Sequence, residues 1–312
     1  MSDSGRKIDY TLRPAKCVER KIICELLTKF NTGFPIDTYR YIGFGSFYFT
    51  DFILFHNYLR IEKMISIEKS TEEERYKFNK PYKCIDILFC DALDALNRRI
   101  EFNAHDSDFI WLDYDDSFCM DMVTDIITAS QKISKTSFLF ISFNTSILSR
   151  NNEERLPALR KEFKEYLPSL KEKDIDNESL PNIIYKIIQN AIQKAISSKP
   201  LDNKMASTSF FFIKYRDGAP MLTLGYYFHD SDIKPAIEAI EHLPGVTLGD
   251  VPINLKIPCF TKAEIREINK MLPGSSLDDI CSAIPYLKRS DIEKYINLYK
   301  FYPNYVDAMF YT

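Results

Sequence analysis

The stretch Tyr39-Arg40-Tyr41-Ile42-Gly43-Phe44-Gly45-Ser46-Phe47-Tyr48 constrains this chain most. It reads as a short apolar strand, a tight turn and a helix opening near Ser46. Two glycines spaced G-x-G let main chain approach a ligand with no Cβ in the way. The helix N-terminus that follows offers unpaired N–H groups and a partial positive charge. That combination suits a nucleotide or a carboxylate-bearing cofactor. Taken alone, it fits equally well a strand-to-helix turn that uses glycine for packing only. The chain has nine glycines in 312 residues, so a pair this close carries weight.

The segments around the turn set the fold class. Pro14–Phe30 reads as a helix, with Pro14 in its first turn and Val18, Ile22, Ile23, Leu26 and Leu27 on one face. Lys16, Arg20 and Lys21 lie elsewhere on it, forming either a solvated face or one turned to an anionic group. Strand one is Thr38–Ile42, followed by a helix over Phe47–Leu59. Strand two is Lys63–Ile67 and ends at Glu68; Ser70-x-x-Glu73 then has the capping-box pattern. Strand three is Cys84–Cys90, strand four Phe109–Leu112 and strand five Ser137–Phe143, with helical segments between them. Near-continuous apolar strands separated by helices predict a doubly wound, mostly parallel sheet covered on both faces. Right-handed crossovers put the strand C-terminal ends on one rim, where the crevice belongs.

Beyond strand five the rhythm breaks. Residues 148–206 read as a helical insertion, with helices over Asn151–Leu167 and Pro181–Ser198 and a kink expected at Pro157. Ser207–Tyr215 and Met221–Phe228, joined through Asp217-Gly218, read as a terminal antiparallel hairpin. Residues 1–229 then form the main domain, and 230–312 a helical C-terminal appendage with Pro244–Cys259 as an irregular connector. Either the insertion or the appendage is a place for a protein partner or a second copy.

Composition excludes several classes. With 41 basic and 44 acidic residues, the net charge of −3 gives no global case for nucleic acid. The seven cysteines form no C-x-x-C, and the four histidines form no H-x-x-x-H, so reduced thiols, a cytoplasmic location and no dedicated zinc site are expected. The first residues lack an apolar h-region and are read as loose, and no apolar run is long enough to span a membrane. The 19 Tyr and 23 Phe are read as core.

Acids recur where strands stop: Glu68, Asp91 and Asp113 follow Gly43 at intervals of 25, 23 and 22 residues. Singly, each reads as a helix N-cap. Together they line one rim, with Glu68 placed to accept ribose hydroxyls, Asp91 an adenine amino hydrogen and Asp113 facing the reaction centre.

At these residues the sequence resembles the class I S-adenosylmethionine-dependent methyltransferases over about residues 37–229. The motifs are Tyr41-Ile42-Gly43-Phe44-Gly45-Ser46, Ile67-Glu68, Cys90-Asp91-Ala92-Leu93 and Leu112-Asp113-Tyr114-Asp115. Arg13-Pro14-Ala15-Lys16 is similar to the start of bacterial proteins described as O-methyltransferases. The resemblance implies a seven-stranded sheet and S-adenosylmethionine approached by Gly43, Gly45 and Ser46. It implies Asp113 and Asp115 on the acceptor side. Tyr41 stands where that family has an acid, and Phe47 where it has a third glycine. Arg13, Lys16 or Arg20 is then expected to hold the cofactor carboxylate. Leu112-Asp113-Tyr114-Asp115-Asp116 also resembles the metal-dependent O-methyltransferases, which implies magnesium or calcium on Asp113 and Asn144, although the family's second Asp is Phe143 here. The acceptor is unnamed by any motif. Rival readings are a non-catalytic nucleoside-binding sensor or assembly subunit, and a nucleic-acid-associated component of a bacterial defence system.

Overall fold

The computed structural model describes residues 13–303 apart from 31, 104–106, 146–151, 172–174 and 177. The loose N-terminal residues, His105, Asn151 and Lys173 fall outside the described residues.

Strands β1 (Arg40–Gly43), β2 (Lys63–Glu68), β3 (Ile85–Phe89), β4 (Asp108–Ser117), β5 (Ser137–Asn144), β6 (Ala206–Asp217), β7 (Ala219–His229) and β8 (Ile253–Asn254) form one sheet. Their order is β3-β2-β1-β4-β5-β7-β6-β8. Only the pairings of β7 are antiparallel. The sheet is thus the doubly wound one, with eight strands where seven are expected. The extra strand is a two-residue edge inside the expected connector, and both its residues are exposed. So short and solvated a strand leaves no alternation to read.

The helices are α1 (Pro14–Lys29), α2 (Thr50–Leu59), α3 (Glu73–Asn79), α4 (Ala92–Asp94, continued as a π turn), α5 (Met120–Lys132), α6 (Asn152–Phe163) and α7 (Leu180–Ser197). The C-terminal segment adds α8 (Lys234–Glu238), α9 (Lys262–Lys270), α10 (Leu277–Ala283) and α11 (Arg289–Leu298). Pro157 lies inside α6 without ending it.

Alternation sorts the strand residues by chemistry. Tyr41, Phe109, Trp111, Phe138 and Phe140 face α1 and α2, where they meet Val18, Ile22, Phe52 and Phe55. Ile42, Ile110, Leu112, Leu139 and Ile141 face α5 and α7. One face is therefore aromatic and the other aliphatic. Tyr41 lies 4.8 Å, centroid to centroid, from both Phe52 and Phe55, each edge-on. The C-terminal helices add a small core of their own around Ile268, Ile280, Ile292 and Tyr295.

Helix α1 is fixed over the rim by its first turn. Pro14 has no N–H to satisfy. The next two donors, Ala15 N and Lys16 N, go to Oδ1 and Oδ2 of Asp217 at 3.1 and 2.8 Å. A carboxylate at the end of β6 thus does the work of an N-cap for a helix some 200 residues earlier. Asp217→Ala should destabilise the protein by about 1–2 kcal/mol, with Asp217→Asn costing less. Urea unfolding at neutral pH measures both.

Candidate active site

The parallel strands bring Gly43, Glu68 and Asp113 to one edge, at the β1–β4 step where strand order reverses. The glycine turn differs from its expected form. Helix α2 begins at Thr50, not near Ser46. Between them Ser46 (φ 51°) and Phe49 (φ 47°) are left-handed, so no helix N-terminus follows Gly45 directly. Both glycines answer to the chain's own packing. A Cβ at Gly45 would lie 2.5 Å from Ser66 Oγ and 2.8 Å from the Phe49 ring. One at Gly43 would meet Tyr41 Cζ at 2.8 Å and the Trp111 carbonyl at 3.2 Å. Phe47 is buried, 4.5 Å from the Tyr76 ring and under the Arg75 guanidinium at 3.9 Å.

Glu68 is 5% exposed and turns toward the glycine loop. Its Oε1 accepts from Gly45 N at 2.7 Å and from Ser66 Oγ at 2.5 Å. Burial pushes its pKa up to about 7, and these donors only partly offset that. Asp91 caps α4 through Oδ1, which takes Asp94 N at 2.8 Å. Its capping role is therefore real, and it remains exposed at the rim.

Strand β4 runs through the acidic motif instead of stopping before it. Asp113 and Asp115 therefore share a strand face. Lys16 Nζ lies 2.8 Å from Asp113 Oδ1 and 2.7 Å from Glu19 Oε2, and 4.3 Å over the Trp111 ring. Lys16 and Glu19 are fully buried, and Tyr215 donates its hydroxyl to Glu19 at 3.1 Å. Burial raises the Glu19 pKa against the pull of Lys16. Arg13 lies 3.7 Å from Asp115. Burial works against its charge, but Tyr215, Asp113, Asp115 and Asp217 together hold its pKa above the ordinary value. Arg20 pairs with the buried Asp51 on α2.

The cations of α1 thus do not form a solvated face: Lys16 and Arg20 are buried among acids. Lys16 is committed to Asp113 and Glu19, and Arg13 stands nearer the rim surface. The roles of Glu19, Tyr215, Asp51 and Asp217 are absent from the sequence reading. The signal that was present is Lys16-x-x-Glu19-Arg20 set among the apolar residues Ala15, Val18, Ile22 and Ile23.

A divalent metal does not fit these residues. An ammonium already sits on Asp113, and register places Asn144 opposite Ser117, two residues past the Asp113–Ser142 pair. Among the described residues no group of three or more His, Cys, Asp or Glu side chains could hold an ion.

A family model described as "Putative O-methyltransferase" matches residues 8–310. The chain belongs to this family. With it comes membership of the class I S-adenosylmethionine-dependent methyltransferase superfamily, in keeping with the sheet order. No curated relative matches the sequence. Solved structures similar to the chain include Trm1 from Pyrococcus horikoshii with S-adenosyl-L-methionine, at 14% identity and a TM-score of 0.49, covering 92% of this chain and 76% of that one. Spermidine synthase from Thermotoga maritima is similar at 9% identity and a TM-score of 0.40, covering 89% of this chain and 74% of that one. M. jannaschii TYW2 in complex with AdoMet is similar at 14% identity and a TM-score of 0.35, covering 72% of this chain and 80% of that one. Among the described residues of this family member, no helix is long and apolar enough to cross a membrane.

The raised Glu68 pKa fixes a sign. The folded state holds that proton more tightly than the unfolded chain, so stability is full below about pH 4.5 and declines as pH rises to about 7. Glu68→Gln keeps an acceptor for Gly45 and carries no charge. Relative to wild type, the variant should gain stability across that window, by up to about 3 kcal/mol above pH 7. Denaturant melts of both proteins from pH 5 to pH 8 read the difference.

Proposed function

We propose that this family member is an S-adenosylmethionine-dependent methyltransferase directed to an oxygen acceptor. The observation that supports it best is the gathering of the glycine turn, Glu68, Asp91 and Asp113 at the switch point of a parallel sheet. The carboxylates suit the adenosine end: Glu68 would take the ribose hydroxyls and Asp91 the adenine amino group. Main chain at Gly43, Gly45 and Ser46 would pass beside the cofactor, and Arg13 would meet its carboxylate. The cofactor supplies an electrophilic methyl carbon bound to a sulfonium sulfur. The chain's share is to orient an acceptor oxygen toward that carbon and to take its proton as the new O–C bond forms. Asp113, held by Lys16, is suited to orienting. Asp115, one-third exposed on the same face, is suited to accepting the proton.

A non-catalytic nucleoside binder draws on one feature, the Lys16–Asp113 pair, which ties up the acid expected at the reaction centre. Cofactor returned unmodified, with no labelled product after incubation of cell extract with methyl-labelled S-adenosylmethionine, would favour it.

Titration calorimetry with S-adenosylmethionine should give saturable binding to the wild type and at least tenfold weaker binding to Glu68→Ala. Absence of binding to the wild type sinks the proposal.

Ribose hydroxyls donate to the ionised carboxylate, so affinity should also depend on pH. Binding should weaken as pH falls through about 7, approaching tenfold per unit below it, and this dependence should vanish in Glu68→Gln. A flat wild-type profile between pH 6 and 8 removes Glu68 from the ribose.

A further inference from the structure

A groove of about 1070 Å³ wraps the rim end of β6 and β8 and reaches α9 and α11 on its far side. Its lining carries five cations and two carboxylates. Both carboxylates are already engaged: Asp217 with the first turn of α1, and Asp291 with Lys294 at 2.7 Å. The other four cations are Lys214 and Arg216 on one face of β6, Lys256 just past β8, and Lys262 at the start of α9. Among the described residues, none of the four side chains makes a hydrogen bond or an ion pair. Like charges gathered without partners repel one another, and an anionic ligand relieves that.

The groove opens onto the rim described above. Register pairs Met221 of β7 with Asn144 at the end of β5, so the hairpin turn at Gly218 rises on the same edge as Asp113. Strand β8 runs parallel to β6 and opposes Lys214 with Asn254, which carries Lys256 toward that edge too. Pro14, the first residue of α1, and Thr145, just past β5, line the same groove. Cations on two walls suit a chain that lies between them and presents phosphates to both sides. Phe260 and Tyr302, partly exposed in the lining, add ring surface against which bases stack.

We propose that this groove seats a single-stranded polynucleotide and leads its acceptor oxygen to the rim. The substrate class rests on the methyltransferase reading, but the binding does not require it. The test is fluorescence anisotropy of the full chain with a fluorescein-labelled 12-residue oligouridylate from 50 to 200 mM salt. Saturable binding is expected, with a log–log salt slope near −3 for about four phosphate contacts. The exposed double variant Lys256→Glu/Lys262→Glu should bind at least tenfold more weakly, with a slope closer to −1, whereas Lys132→Glu on α5 should bind like wild type. Should the double variant melt differently from wild type, Arg216→Ala replaces it, with the slope expected to lose about one unit. No saturable binding, or binding indifferent to these charges, overturns the proposal. Tighter binding of a polyglutamate of equal charge also overturns it, in favour of an acidic peptide partner. Calorimetry with S-adenosylmethionine on the double variant separates the two readings. Oligouridylate binding in a wild type that ignores the cofactor defeats only the methyltransferase assignment.

Discussion

The buried ammonium of Lys16 is the contact on which the geometry of the rim depends. Taking an ion out of water costs several kcal/mol unless its partners replace the solvent. Here Asp113, Glu19 and the face of Trp111 replace it on three sides. Each partner belongs to a different job. Glu19 ties the cluster to Tyr215 on β6, and Asp113 ties it to β4. Trp111 donates its indole N–H to Ser142 on β5, which bonds Thr223 on β7. Helix α1 is thereby fastened to four neighbouring strands. Removing any one acid would leave the ammonium under-compensated, so the cluster behaves as a unit. With Asp217 on the first turn, α1 cannot slide along the sheet without breaking the cap and the ion cluster together.

That fastening changes the meaning of the glycine turn. The turn is held from inside by Glu68 on Gly45, by Phe49 and by Tyr41 beneath Gly43. Glycine is obligatory there because side chains of the same chain fill the Cβ positions. The same restriction leaves main chain close to the rim surface, which a bound nucleoside can use. Packing thus fixes the backbone path beside which the proposed cofactor would lie. Tyr41, at the position where the resemblance to class I enzymes implies an acid, has its ring in a socket between Phe52, Phe55 and Phe109.

Strands were legible where both faces are buried, since Phe109–Leu112 and Phe138–Phe143 can be nothing but central strands. Thr261-x-x-Glu264 has the capping-box spacing, and there the box forms. Ser70-x-x-Glu73 has the same spacing but forms no box: Ser70 accepts from Glu72 instead and α3 starts later. A local pattern competes with the path the chain must take out of β2. The ion cluster could not be read, because its partners stand 97 and 196 residues apart along the chain. Charges at i and i+3 on a helix look the same whether they meet solvent or each other in a core. Edge strand β8 was hidden for the opposite reason, being too short and too exposed to leave a pattern.

Net charge sums over compartments that the fold keeps apart. The rim collects Glu68, Asp91, Asp113 and Asp115, which suits a cofactor carrying a positive sulfonium. The groove beyond the hairpin collects Lys214, Arg216, Lys256 and Lys262, whose side chains form no ion pair among the described residues. Asp217 stands between the two, with both oxygens on backbone donors of α1 and its charge felt by Arg13 at the rim. The proposed pairing of a sulfonium cofactor with a polynucleotide would call for opposite fields within a few residues of each other. In a low-dielectric surface cleft those fields would cancel if their charges paired across it. The tip of the β6–β7 hairpin is where α1 is capped, through Asp217 at the end of β6.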